Sequence, residues 1–222
     1  MEHQSEEKPV KQVINIEIVS DYICPWCYIG KQRLDQALDS LKDKYDFNQT
    51  LVPFELNKDM PAEGQNRKLY RSGKFGSWEK SQALDENVTT AGKTVGLDFN
   101  YDKIEITPNT FKAHLLISYA QEVNKQIEVS NELFKAYFTD GEDIGNEDVL
   151  LKIAEEAGLD PVKVKEALQS LKTINEVRSI EANYAMRGVN SVPLYIIGSK
   201  AISGAQASET FVQFITQNAE ND

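Results

Sequence analysis

Apolar side chains at Val13, Ile14, Ile16 and Ile18 are interleaved with polar ones, and the run ends in Ser20-Asp21. That alternation predicts a strand over Val13 to Ser20. From about Pro25 to Lys42 the period lengthens, with Ile29, Leu34, Leu38 and Leu41 on one face, which predicts a helix. Pro25 suits its first turn, where a missing N–H costs nothing. Thr50 to Leu56 reads as a second strand. The stretch from Asn57 to Gly76 is turn-rich, and its Lys68, Arg71 and Lys74 read as a solvated face.

Helical spacing resumes at Ser77 with Trp78, Leu84, Val88, Ala91 and Val95, and Gly96 is a suitable stop. Residues 107 to about 188 read as successive helices. Thr107-Pro108 and Asp160-Pro161 look like cap-then-proline starts, and Gly158 ends the helix between them. Phe111, Leu115 and Tyr119, like Leu133, Phe134, Tyr137 and Phe138, keep a helical period and are expected in the core. After Val192-Pro193 the pattern shortens again. Leu194 to Ile197 and Lys200 to Ser203 read as strands around a Gly198-Ser199 turn, and Phe211, Phe214 and Ile215 mark a closing helix. The order is β-α-β, helices, β-β-α: an α/β chain with a thioredoxin-type core and a large all-helical insertion. The expected division is a core from residues 12–60 and 189–219, an insertion at 61–188, and a flexible tail at 1–11.

The chain has 222 residues, 41% apolar and 27% charged, enough to build a real core. A formal charge of −11 excludes a nucleic-acid partner, which needs a basic face, and disfavours a polybasic route to membranes. No apolar run approaches the roughly 20 residues of a spanning helix. The N-terminus lacks the apolar stretch of a secretory signal, so the cytosol is the expected compartment.

The only two cysteines are Cys24 and Cys27, in Cys24-Pro25-Trp26-Cys27. A C-x-x-C pair serves metal or redox chemistry. Structural zinc needs four ligands, and only His3 and His114 could complete the set, so no metal is expected. The redox reading also explains the position. Cys24 falls where the first strand ends and the helix begins, where free N–H groups and the helix dipole favour a thiolate. Cys24 is then the nucleophile, and Cys27, one turn on, resolves the mixed disulfide. Pro25 and Trp26 tune the pair but place no cation between the sulfurs. Pro193, opening the third strand beside the pair, is expected to be cis. Val192 before it is expected to offer backbone groups to a bound peptide.

The segment Ser20-Asp21-Tyr22-Ile23-Cys24-Pro25-Trp26-Cys27-Tyr28-Ile29-Gly30 resembles the active-site segment of the FrnE-like branch of the DsbA family. Pro53-Phe54-Glu55-Leu56-Asn57, Pro108-Asn109-Thr110 with Ala113-His114, Ala136-Tyr137-Phe138, and Gly188-Val189-Asn190-Ser191-Val192-Pro193 extend the resemblance. So does Ser203-Gly204-Ala205-Gln206, and the likeness spans about Val13 to Phe214. It implies disulfide oxidoreductase or isomerase activity on protein or low-molecular-weight disulfides and thiols. The related hydroxychromene-carboxylate isomerases and kappa-class glutathione transferases typically carry serine where Cys24 stands. They also tend to hold glutathione with an Asp-Arg pair where this chain has Ala205-Gln206, with no fixed positive charge. Glutathione is therefore expected only as a weak co-substrate, and no cofactor is expected besides the cysteine pair. His114 and Gln206 are candidates to line a cleft between core and insertion, although the neighbours of His114 on its helix favour a packed histidine. A glutathione-dependent isomerase or transferase is the second function on this reading, and a non-catalytic redox sensor or binding module the third.

Overall fold

The structure is a computed structural model that describes residues 11–219. The expected tail therefore lies outside the described residues except for Lys11. A four-stranded sheet has the order β2-β1-β5-β6, built from β1 (Gln12–Ser20), β2 (Tyr45–Pro53), β5 (Leu194–Ile197) and β6 (Lys200–Ser203). β1 runs parallel to β2, with Gln12 opposite Tyr45 and Ser20 opposite Pro53. It pairs antiparallel with β5, placing Ile18 opposite Tyr195. The alternation at the start of β1 is the physical cause of its place. Ile14, Ile16 and Ile18 turn into the main core, while Val19 packs on the other face with Val52 and Ile196. α1 (Pro25–Leu41) lies beside the closing helix α9 (Ser208–Ala219), whose Phe211 and Ile215 are fully buried.

Between β2 and β5 runs the helical insertion. It contains a short antiparallel strand pair, β3 (Gln65–Asn66) with β4 (Ile106–Thr107), and the helices α2 (Arg67–Phe75), α3 (Trp78–Lys93) and α4 (Phe111–Glu122). α5 (Gln126–Lys135), α6 (Glu147–Glu156), α7 (Pro161–Gln169) and α8 (Leu171–Met186) follow. The thioredoxin-type core with a helical insertion is thus the observed architecture, and the β3–β4 pair corrects the expectation that the insertion is all helical. Asp160 caps α7 through Val162 N–H at 2.9 Å, with Pro161 in the first turn, and Gly158 at φ 80° follows α6 as the spacing predicts. α5 ends in a π turn over Ala136–Asp140, closed by Gly141 at φ 78°. A side chain at Gly141 would press within 2.6 Å of the Lys103 carbonyl oxygen, so both conformation and space require glycine there.

Three local expectations need correction. β2 begins at Tyr45 and ends at Pro53, so the strand expected over Thr50 to Leu56 starts earlier and stops sooner. β2 is an edge strand whose polar Asp46 and Asn48 face solvent, so its first half lacks an apolar run. The turn-rich segment contains α2, nine residues capped by the Asn66 side chain on Leu69 N–H and stopped by Gly76 at φ 90°. It contributes almost no apolar side chain to the core, which hides the helical period. Thr107-Pro108 does not open α4. Thr107 belongs to β4, and the helix starts four residues later at Phe111, whose N–H is held by Asn109 Oδ1 at 2.9 Å.

Candidate functional site

Cys24 occupies the N-cap of α1 in an extended conformation, and its carbonyl accepts the N–H groups of Cys27 at 3.0 Å and Tyr28 at 3.3 Å. Pro25 forms the first helical position, and Trp26 projects outward, 42% exposed. Both cysteines are free thiols, nearly fully buried. The Cys24 sulfur lies 4.0 Å from the carbonyl oxygen of Val192, and the Val192-Pro193 peptide is cis. Cys27 sits one turn deeper, where burial first, then the neighbouring Cys24, pushes its thiol well above the ordinary range. Hydrogen bonds from the Ser20 hydroxyl and the Asp21 backbone oppose that rise.

A cavity of about 420 Å³ opens beside Cys24. Its near wall is the β1–α1 junction, with Ile23, Pro25 and Trp26, continued by Leu56. Its far wall is α2 and α3, which present Arg71, Lys74, Phe75, Leu84 and Val88. The wall is mostly apolar, with two cations. Lys74 donates to Asn57 Oδ1 at 3.2 Å and to the Tyr70 hydroxyl at 3.0 Å. Arg71 is held by Asp85 at 2.7 Å and Ser81 at 2.6 Å, and Asp85 also takes the buried Arg67 at 2.6 Å. The three basic residues expected on a solvated face therefore divide. Arg71 is ion-paired in the cleft, Lys74 lines it, and Lys68 stands over the Trp78 ring at 5.8 Å.

Neither candidate cleft residue lines that cavity. His114 is 2% exposed and packs behind the thiol segment, its Nε2 3.4 Å from Asp21 Oδ1 and its ring 5.3 Å from Tyr22. A buried face on α4 turns it inward, as its apolar helix neighbours imply. Gln206 bonds back to the Ser203 carbonyl at 2.7 Å within its own turn. The turn at 203–206 does, however, hold a fixed positive charge. Arg33, from α1, donates to the Ala205 carbonyl at 2.6 Å, a juxtaposition made by α1–α9 packing and invisible to local sequence. Among the described residues no cluster of three metal-ligating side chains occurs, and no helix is long and apolar enough to cross a membrane.

Next to the site lies a buried acidic pair. Glu55, just after β2, and Glu181 on α8 share Arg178, which stacks over Phe111 at 3.6 Å, while Lys58 stands 3.7 Å from Glu181. Burial first and the Glu181 charge second raise the Glu55 carboxyl above the ordinary carboxylate range, against the opposing pull of Arg178. A raised carboxyl keeps its proton in the folded chain where the unfolded chain has lost it. Its contribution to stability is complete below the unfolded value of about 4.3 and is lost as pH rises through the folded value. Denaturant midpoints between pH 4 and 7 should therefore fall less steeply for Glu55→Gln than for the parent; identical slopes would contradict that.

A thioredoxin-type fold with a Cys-x-x-Cys pair at the first helix and a cis-proline beside it defines the class of thioredoxin-like redox domains. Residues 15–216 match the family of the DSBA-like thioredoxin domain, and the chain belongs to that family. The uncharacterized protein YwbO of Bacillus subtilis is 30% identical over 205 residues, 91% of this chain and 96% of its own. A probable DsbA oxidoreductase from Streptomyces coelicolor superposes with a TM-score of 0.85 at 28% identity, covering 94% of this chain and 91% of that one. A 2-hydroxychromene-2-carboxylate isomerase reaches 0.70 at 16% identity over 94% and 100%, a likeness of fold alone.

Proposed function

We propose that this protein is a thiol–disulfide oxidoreductase of the FrnE-like type in which Cys24 attacks the substrate disulfide and Cys27 releases it. The observation that carries this reading is the setting of Cys24, at the N-cap of α1 and 4.0 Å from the carbonyl before the cis-proline. The helix dipole stabilises negative charge on the Cys24 sulfur. The Val192 backbone offers an extended partner to a bound peptide. Cys27, buried one turn on, holds its proton and stays a thiol until the mixed disulfide has formed. The cysteine pair is the redox centre, and no further cofactor enters the scheme. In the cytosol, where thiols are kept reduced, reduction or isomerisation of substrate disulfides is the easier direction.

A second reading, glutathione-dependent isomerase or transferase chemistry, has one specific observation in its favour, the Arg33 guanidinium at the turn before α9. Arg33 is already engaged by the Ala205 carbonyl, so glutathione is expected to bind weakly, as a co-substrate. Insulin reduction run beside a calorimetric glutathione titration separates the two. Turnover with weak glutathione binding supports the oxidoreductase, and tight binding without turnover supports the alternative.

The potential of the pair follows from the same geometry. A helix-terminal sulfur with only Pro25 and Trp26 between the cysteines has dipole stabilisation but no intervening cation. The expected value lies between about −270 mV, as for thioredoxin, and about −120 mV, as for DsbA. Equilibration against glutathione buffers reads it directly, and a value at the DsbA end would reveal a thiolate-stabilising group that the site does not display.

A further inference from the structure

The cavity beside Cys24 carries a charge imbalance that disulfide exchange by itself does not require. Its charged lining residues are Arg71, Lys74 and Asp85. Both oxygens of Asp85 are already taken, Oδ1 by Arg71 at 2.7 Å and Oδ2 by the buried Arg67 at 2.6 Å. Three cations therefore meet one carboxylate, in a chain whose formal charge is −11. Lys74 is the cation left over. Its ammonium donates to the neutral oxygens of Asn57, at 3.2 Å, and Tyr70, at 3.0 Å, and it has no carboxylate partner among the described residues. A second polar point in the cavity is also unmatched. Thr107, on β4, is 4% exposed and lines the same wall, and its buried hydroxyl has no hydrogen-bond partner among the described residues. Such a group is costly to leave unpaired, so a ligand that pairs with it is favoured. Apolar side chains, among them Trp26, Leu56, Phe75 and Leu84, make up most of the remaining wall.

We propose that this cavity takes a low-molecular-weight disulfide whose apolar body carries a carboxylate, and that Lys74 is the residue that selects for the acid. This rests on the exchange reading above and names its substrate class. A volume of about 420 Å³ falls among the pockets that hold small molecules, and apolar walls with a few fixed polar groups are their usual lining. The ammonium of Lys74 meets the carboxylate, the apolar body covers the wall, and the Thr107 hydroxyl is free to bond a polar atom of the ligand. Glutathione, whose body is a chain of polar amides, suits such a wall poorly. In the reaction, the Cys24 thiolate bonds to the nearer substrate sulfur, the substrate S–S bond breaks, and the far half leaves as a thiolate. Cys27 then loses its proton to solvent and bonds to Cys24, and the near half leaves as the second thiol. The cysteine pair gives up two electrons and the substrate gains them. The alternative is that Lys74 is a solvated cation that merely ties α2 to Asn57.

The reduced full-length protein, mixed with 5,5′-dithiobis(2-nitrobenzoate) and separately with its neutral bis-carboxamide, distinguishes these. Release of the coloured thiolate is followed by stopped flow. Each rate is divided by that of 2-mercaptoethanol with the same probe, which cancels intrinsic reactivity. Lys74→Gln should lower the anionic-to-neutral ratio about fivefold, the loss of one ion pair at a partly open site, and Lys74→Arg should retain the parent ratio. A ratio that Lys74→Gln does not lower, or that Lys74→Arg lowers as far, overturns the proposal. Insulin reduction with dithiothreitol separates a small acid from an acidic polypeptide. Lys74→Gln should cost that reaction no more than about twofold, since an exposed charge contact is worth little there, and a loss equal to that of the anionic probe overturns the assignment to small disulfides. A reduced parent that reacts with neither probe through Cys24 would instead sink the exchange reading.

Discussion

Cys24→Ser should remove disulfide exchange to background, whereas Cys27→Ser should leave the attack intact and accumulate mixed disulfides with substrate. The asymmetry follows from position. Cys24 sits at the helix end with its sulfur toward Val192 and the cavity, and Cys27 lies behind it, deeper and with its thiol held protonated. Exchange needs a thiolate that can meet the substrate, and only Cys24 lines the open side. Without Cys27, the bond made by Cys24 has no internal thiol to break it. Non-reducing gels and mass spectrometry of a lysate exposed to each variant give the readout. Equal trapping by both variants would show that the two roles have been assigned the wrong way round or are shared.

Asp85→Ala should be the most damaging single change to stability outside the main core. Asp85 is 6% exposed and is the only carboxylate ion-paired with Arg67, which is 3% exposed, and with Arg71, among the described residues. Removing it leaves two guanidinium groups facing each other at the root of α2 without a counter-charge. Breaking a buried pair by deleting one partner costs about 3–5 kcal/mol. For a chain of this size that lowers Tm by about 6–20 °C. Cation–ring contacts hold Arg67 against Tyr101 at 4.9 Å and Trp78 at 5.5 Å, so relaxation into solvent is obstructed. Differential scanning calorimetry tests this against Asp39→Ala, which breaks the exposed pair to Lys42 and should leave Tm unchanged. Comparable losses in the two variants would show that the buried triad adds nothing special. α2 and α3 form the far wall of the cavity, so the same change should also lower substrate turnover at temperatures where the fold persists.

What the sequence made legible was whatever depends on neighbours along the chain. β1, α1, β5, β6 and α9 announce themselves by period, and Cys24, Cys27 and Pro193 by type and place. The far wall of the site did not. α2 leaves Leu69 exposed and buries only Arg67, so no apolar stripe marks it as helix or as cleft. Arg71 reads as a surface cation until Asp85, fourteen residues on, is brought against it. Arg33 shows the same limit, since its partner at Ala205 lies across 172 residues. Asp21 and His114 were each visible as residues, but their proximity is a product of packing between β1 and α4. A useful signal lay in Asp21 itself, an acidic residue at the end of a strand that the fold buries at its centre. An acid there is costly unless it is used or paired.

The strand order also fixes when the site can exist during synthesis. β1 at the middle of the sheet has β2 available almost at once, but its other neighbour, β5, is encoded near the far end of the chain. Cys24 precedes Val192 by 168 residues. At about 5–20 residues per second, the thiols leave the ribosome roughly 10–30 s before the strand that completes their setting. During that interval the sequence carries the cysteine pair with no Val192 carbonyl opposite and no finished sheet beneath. The setting of the thiols is therefore complete only once β5 has been translated, and a chain truncated before β5 is a dithiol without its sheet.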